Sequence, residues 1–155
     1  MPHPPEEIRA AYRRYVETRD RIEAGELPWD ALGQFFTEDA TFIDPAWGRV
    51  DGLPAIQKFL KESMAGLEDW TFPEQWTMVD GDRLVSFWWN RLGGRRSDGR
   101  PYQAPGVSIL EYAGGGRFKS ELDLLNMAHV GELIRESGWR PPPGFHMPPR
   151  NPRRE

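Results

Sequence analysis

From residue 70 onward the chain reads as four extended stretches in a row, 70–79, 83–92, 102–112 and 118–126. Each shows the period-two alternation of a strand lying on a half-buried sheet. They are separated by Asp80-Gly81-Asp82, by residues 93–101 and by Gly114-Gly115-Gly116, which are turn-forming connections of short, medium and short length. Strands joined this way pair with their neighbours in sequence, so an antiparallel meander is expected. Pro73 and Pro105 fall inside two of the stretches. A proline cannot donate to the ladder, so it marks an edge or a bulge, and a bulged sheet curves.

The first half of the chain carries helical periodicity. In residues 6–24, Ile8, Ala11, Tyr12, Tyr15, Val16 and Ile22 form one apolar stripe that Gly25 ends. A short helix is expected after Pro28, turning Leu32, Phe35 and Phe36 inward. A third begins after Gly52, takes Pro54 into its first turn and runs through Ile56, Phe59, Leu60 and Met64 to Gly66. A last short helix, 128–136, precedes Gly138. The fold class that follows is α+β: a cone-shaped, curved antiparallel sheet with three helices of the N-terminal half packed on one side, enclosing a cavity. The boundaries expected are one domain over residues 1–139 and a proline- and arginine-rich tail over 140–155.

With 155 residues there is material for one core, yet the chain holds seven Trp, eight Phe and four Tyr. A ring-lined cavity or an oligomer interface explains that load, and a homodimer is expected. Trp88 and Trp89 are consecutive on one strand and must face opposite sides, so each purpose can claim one. Trp47 and Trp76 are open to either. The tail holds four Arg and one acid, leaving residues 1–139 with 16 basic against 23 acidic side chains. Such a body repels phosphate backbones, so nucleic acid is not an expected partner. The tail, with six Pro and no periodic pattern, should run over its own domain, over a partner subunit or free in solvent. There is no Cys, no run of 18 apolar residues and no apolar signal core near the start, so a cytoplasmic protein away from membranes is expected. His3, His129 and His146 are too scattered for a metal site, and the triple glycine opens no helix, so neither metal nor other cofactor is expected.

One local sequence carries chemistry. In Ala40-Thr41-Phe42-Ile43-Asp44, alternation puts Asp44 on the face of Phe42. If Phe42 points inward, so does an acid, and burial raises its pKa toward that of a useful proton acceptor. The competing role is local: Asp44 precedes Pro45, and an Asp-Pro pair commonly opens a turn whose amides the aspartate caps. By the same alternation Asp123 shares the parity of Lys119 and Glu121, which points it to solvent unless a bulge intervenes. Tyr15 lies on the apolar stripe and reads as a core tyrosine from spacing alone.

The segments FTEDATFIDP, GLPAIQKFL, GDRLVSFWWN and APGVSILEYAGGGRF, in this order of elements, resemble the nuclear transport factor 2-like superfamily and its SnoaL-like and ketosteroid isomerase-like branches. The likeness spans roughly residues 6–137. It implies that Asp44, within Asp39-Ala40-Thr41-Phe42-Ile43-Asp44-Pro45, is a general base. It also implies that Tyr15, within Arg14-Tyr15-Val16-Glu17, stabilises an oxyanion. Where ketosteroid isomerases carry a second oxyanion donor, an aspartic acid kept protonated by its apolar site, this chain has Ser108. A serine supplies only an ordinary hydroxyl. SnoaL-like cyclases and limonene epoxide hydrolase resemble the chain at Glu121-Leu122-Asp123-Leu124-Leu125-Asn126, which implies a pocket role for Asp123. Arg91 matches the hydrolase's arginine, without the neighbouring aspartate that enzyme uses. The function implied is binding of a small, largely apolar carbonyl compound with proton transfer of isomerase or cyclase type. An epoxide hydrolase-like enzyme and a non-catalytic ligand-binding or scaffold protein are the alternatives. Tyr12, Phe42, Trp47, Phe59, Trp76, Trp88, Trp89, Arg91 and Asn126 are the expected ligand contacts.

Overall fold

The computed structural model describes residues 1–155. Helix α1 (Pro5–Glu23) starts on a proline, whose missing N–H is harmless in a first turn, and places Glu6 and Glu7 at its positive end. Its buried stripe is the expected one, except that Val16 is only partly buried, with a charged addition, Arg19. A 3-10 helix (Trp29–Phe35) follows Pro28, and Phe36 opens strand β1 (Phe36–Asp44) instead of closing that helix. A short strand that alternation does not suggest, β2 (Gly48–Asp51), folds back on β1. Helix α2 (Leu53–Met64) then leads to β3 (Glu74–Asp80), β4 (Arg83–Arg95), β5 (Pro101–Gly114), β6 (Arg117–Leu125) and α3 (Met127–Ser137).

The six strands form one curved, unclosed sheet in the order β2-β1-β6-β5-β4-β3. β3 to β6 make the expected antiparallel meander. β1 departs from it: it runs parallel to β6, a pairing that needs a long connection, here the whole stretch from β2 through α2 to β5. Pro73 breaks the stretch 70–79, so only the bridge Thr71↔Arg91 precedes β3. Pro105 sits just past the last β5–β6 pair, Gly106↔Leu125, where that side of the ladder has ended.

One bulge decides which way β6 faces. Glu111 pairs with Ser120 and Tyr112 with Phe118, so Lys119 is the extra residue. Phe118 is inside, and after the bulge Glu121 is inside too, at 4% exposure, with Asp123 on the same face. The expectation that Asp123 points to solvent is thereby reversed.

The larger core cluster lies under α1, α2 and the 3-10 helix and includes Phe36, Leu84, Leu110, Tyr112 and Phe118. A smaller one, Trp70, Leu92, Ala104, Val130 and Leu133, lies under α3. A cavity takes wall residues from both. The tail doubles back on its own domain: the Arg49 N–H donates to the Arg153 carbonyl at 2.6 Å and Arg154 Nε to the Pro45 carbonyl at 3.2 Å. Gly48 and Gly66 permit this. Both have positive φ, 83° and 94°, and a Cβ on either would collide with the tail, at Pro152 and at Phe145. No helix is long and apolar enough to cross a membrane.

Candidate active site

The cavity holds about 480 Å³ and its wall is mostly apolar. Phe42, Trp47, Phe59 and Trp88 supply rings; the tail supplies Pro141, Phe145, Met147 and Pro148. The domain thus furnishes the body of the cavity and the tail a flap along it.

A polar row crosses the inner face of the sheet. Register places Ser86 beside Ser108 and Ser108 beside Asp123. The pair Ile43↔Leu122 brings Asp44 alongside Asp123 one residue further on. Glu121, beside Phe42 and Leu110, stands one inward position away on β6. Three carboxyl groups from two strands therefore share one apolar wall.

The hydrogen bonds order them. Trp88 Nε1 donates to Ser108 Oγ at 2.9 Å, and Ser108 donates to Asp123 Oδ1 at 2.6 Å. Gly106 makes this reach available, because a Cβ there would sit 2.4 Å from the Trp88 ring. The Tyr15 hydroxyl donates to Glu121 Oε1 at 2.8 Å. Burial, then the charge of Glu121, pushes the pKa of Asp123 well above the usual carboxylate range, which favours its protonated form. Glu121 is also raised by burial, against the opposing hydrogen bonds from Asp123 and Tyr15.

Asp44 fills both roles open to it. Its Oδ2 accepts from the Ala46 and Trp47 amides at 2.9 and 2.8 Å, which is the turn cap. Its Oδ1 has no protein donor, and burial outweighs the two amides to raise its pKa. The cap fixes the carboxylate, and the enclosed setting makes it the more basic.

A second network backs the first. Tyr12 donates to Ser86 Oγ at 2.7 Å, Ser86 donates to Glu74, and Arg19 pairs with Glu74 Oε2 at 3.0 Å. Burial disfavours the charge of Arg19, yet Tyr12 and Glu74 raise its pKa overall and keep it protonated.

A family model for the SnoaL-like domain matches residues 12–120. The chain belongs to the SnoaL-like family. Solved structures agree on its nuclear transport factor 2-like fold. A protein of Shewanella putrefaciens, assigned provisionally as a SnoaL-like polyketide cyclase, is 17% identical with a TM-score of 0.66, over 86% of this chain and 88% of that one. TerC, crystallised with polyporic acid, is 21% identical with a TM-score of 0.59, over 84% and 96%. A protein of Catenulispora acidiphila with a ketosteroid isomerase-like fold, in complex with trimethylamine, is 22% identical with a TM-score of 0.55, over 72% and 86%. No curated protein sequence matches significantly.

Within this SnoaL-like chain the cavity gathers Tyr15, Phe42, Asp44, Trp47, Phe59, Trp88, Ser108 and Asp123. Five expected contacts lie elsewhere. Tyr12 is buried behind the wall, stacked on Tyr15 at 5.3 Å. Trp76, on edge strand β3, is 49% exposed and stacks on Phe87. Trp89 and Arg91 have the outward parity of Phe87; Trp89 packs edge-on against that ring, and Arg91 donates to Gln103 Oε1 at 2.8 Å. The arginine that matches the epoxide hydrolase is thus on the wrong face. Asn126 follows the end of β6 and caps α3, accepting from the His129 amide at 3.2 Å.

The wall residues with polar groups outside the expected set include Arg19, Trp70, Asn90 and Glu121. Arg19 is four positions from Tyr15 on one helix face, and Asn90 two from Trp88 on one strand face, so periodicity holds the signal for both. Glu121 shares the parity of Asp123 and turns inward with it. Trp70 carries no such signal, since the chain there is not regular.

Proposed function

We propose that this protein binds a small, largely apolar carbonyl compound in the cavity and transfers a proton at the carbon next to that carbonyl, as an isomerase or cyclase does. The observation that carries the reading is the convergence of Asp44, Glu121 and Asp123 on one apolar wall with all three pKa values raised. Acid and base roles separate where environments push carboxyl pKa values apart. Asp44, with Oδ1 free, takes the proton. Asp123, which holds a proton on the neighbouring strand β6, donates to the carbonyl oxygen as charge builds there. It stands at the register position paired with Ser108, so the neutral acid missing from β5 is supplied by the adjacent strand. Tyr15 acts through Glu121, taking up part of its charge and leaving the Asp123 proton available. The provisional cyclase assignment of the Shewanella putrefaciens protein and the ketosteroid isomerase-like fold of the Catenulispora acidiphila protein support a reading of this type.

The test is deuterium exchange at the carbonyl-adjacent carbon of β-tetralone, followed by NMR. Asp44→Asn should slow exchange by roughly 10²-fold to 10⁴-fold while leaving binding in place. If neither Asp44→Asn nor Asp123→Asn alters exchange in folded protein, the catalytic reading fails and a ligand-binding role replaces it.

A further inference from the structure

Three residues that line the cavity each carry a buried donor atom without a partner. Arg19, Trp70 and Asn90 are 7%, 7% and 3% exposed. Arg19 Nε, Trp70 Nε1 and Asn90 Nδ2 are buried without a hydrogen bond, and all three residues line the cavity. Buried N–H groups are nearly always paired, so three orphans on one wall mark a place where something else accepts.

Two of them sit away from the carboxyl row. Asn90 is four residues past Ser86 on β4, roughly 14 Å at about 3.4 Å per residue. The bridge Thr71↔Arg91 sets Trp70 and Phe72 on either side of Thr71, facing the stretch of β4 that holds Asn90 and Leu92. Trp70 therefore belongs to the same end of the cavity as Asn90, beneath α3 with Leu92, Ala104 and Val130. Arg19 lies between the ends, since its partner Glu74 pairs with Trp88.

The chemistry at the two ends is opposite. The row holds carboxyl groups; indole and guanidinium can only donate. The Arg19 charge is already met by Glu74, and the nearby carboxyl groups oppose a further anion. An uncharged oxygen acceptor fits these donors best. We propose that Trp70 and Asn90, extended by Arg19, form a second subsite that takes a neutral carbonyl, ester or ether oxygen on the ligand, remote from the carbon where the proton moves. This rests on the reading of the cavity as a ligand site, and it adds that the ligand carries oxygen at both ends.

The test uses two probes of the same ring shape, fluorenone and fluorene, titrated by tryptophan fluorescence. Fluorenone should bind about 10-fold more tightly, the scale of one well-made hydrogen bond in an enclosed site. Trp70→Phe keeps most of the ring and removes the donor, and Asn90→Leu removes the amide; each should reduce the preference several-fold. In ¹⁵N-tryptophan-labelled protein the Trp70 indole N–H should move downfield with fluorenone and not with fluorene, a readout that stands even if Trp70→Phe fails to fold. Equal or absent binding of the two probes, an unmoved indole resonance, or a preference that survives both substitutions overturns the subsite. Those results leave proton transfer at the carboxyl row to the exchange assay with Asp44→Asn, so the two ideas fail separately.

Discussion

Changing Tyr15 to Phe removes one oxygen and keeps the ring against Tyr12, Phe35 and Phe36, at 5.3, 5.6 and 6.2 Å between centroids. What is lost is the 2.8 Å bond to Glu121. Glu121 is 4% exposed, so solvent is poorly placed to replace that donor. A hydrogen bond to a charged acceptor contributes about 1.5–3 kcal/mol, and one between neutral groups about 0.5–1.5 kcal/mol. Burial raises the folded pKa of Glu121, while the Tyr15 hydrogen bond works to lower it. Without Tyr15 the folded pKa rises further, and the carboxylate form becomes harder to hold as pH rises through it. Tyr15→Phe should therefore destabilise by about 1 kcal/mol where Glu121 is protonated and by about 2–3 kcal/mol where it is ionised, so the loss grows as pH rises. Urea denaturation of both proteins across a range of pH, with equal m values, reads the difference directly. A loss under about 0.5 kcal/mol across the range, or one that shrinks as pH rises, would refute the donation of Tyr15 to the Glu121 carboxylate.

Removal of residues 140–155 takes Phe145 and Met147 off the cavity wall but no residue from either buried core cluster. The truncated protein should fold normally and release fluorenone about 10-fold faster, given roughly half the burial value of one aromatic side chain; unchanged release kinetics would show that the tail contributes nothing to binding. For Asp123, whose folded pKa is raised, the stabilising contribution is complete below an unfolded pKa of about 3.9 and is lost as pH rises through the folded value. Asp123→Asn should flatten that fall in urea midpoint, and parallel profiles for the two proteins would contradict it. Finally, we propose that the outer sheet face, where Trp76 and Met78 are 49% and 59% exposed beside Phe87 and Trp89, packs on a second copy. Light scattering should give about twice the 17.9 kDa chain mass, and Trp76→Glu with Met78→Glu should return it to one chain; a monomeric wild type removes the proposal.

What the sequence could determine was whatever a few neighbouring residues decide together. The α1 stripe, the turns at Gly81 and Gly115 and the shared face of Phe42 and Asp44 rest on helix and strand periodicity, which acts over one or two turns of chain. Both roles open to Asp44 were visible for the same reason. The tertiary structure decided everything that depends on counting across a distortion or on distant chain. One extra residue, Lys119, turns Glu121 and Asp123 inward, and a single inserted residue reverses parity for the rest of a strand. Parallel entry of β1 beside β6 brings Asp44 next to Asp123, nearly eighty residues away in sequence. The pKa values follow from that meeting, since burial and like charges act through space. The tail's course along the cavity depends on its contacts at Gly48 and Gly66, both far from it in sequence: prolines make the tail extended, and only the surface it meets gives it a direction.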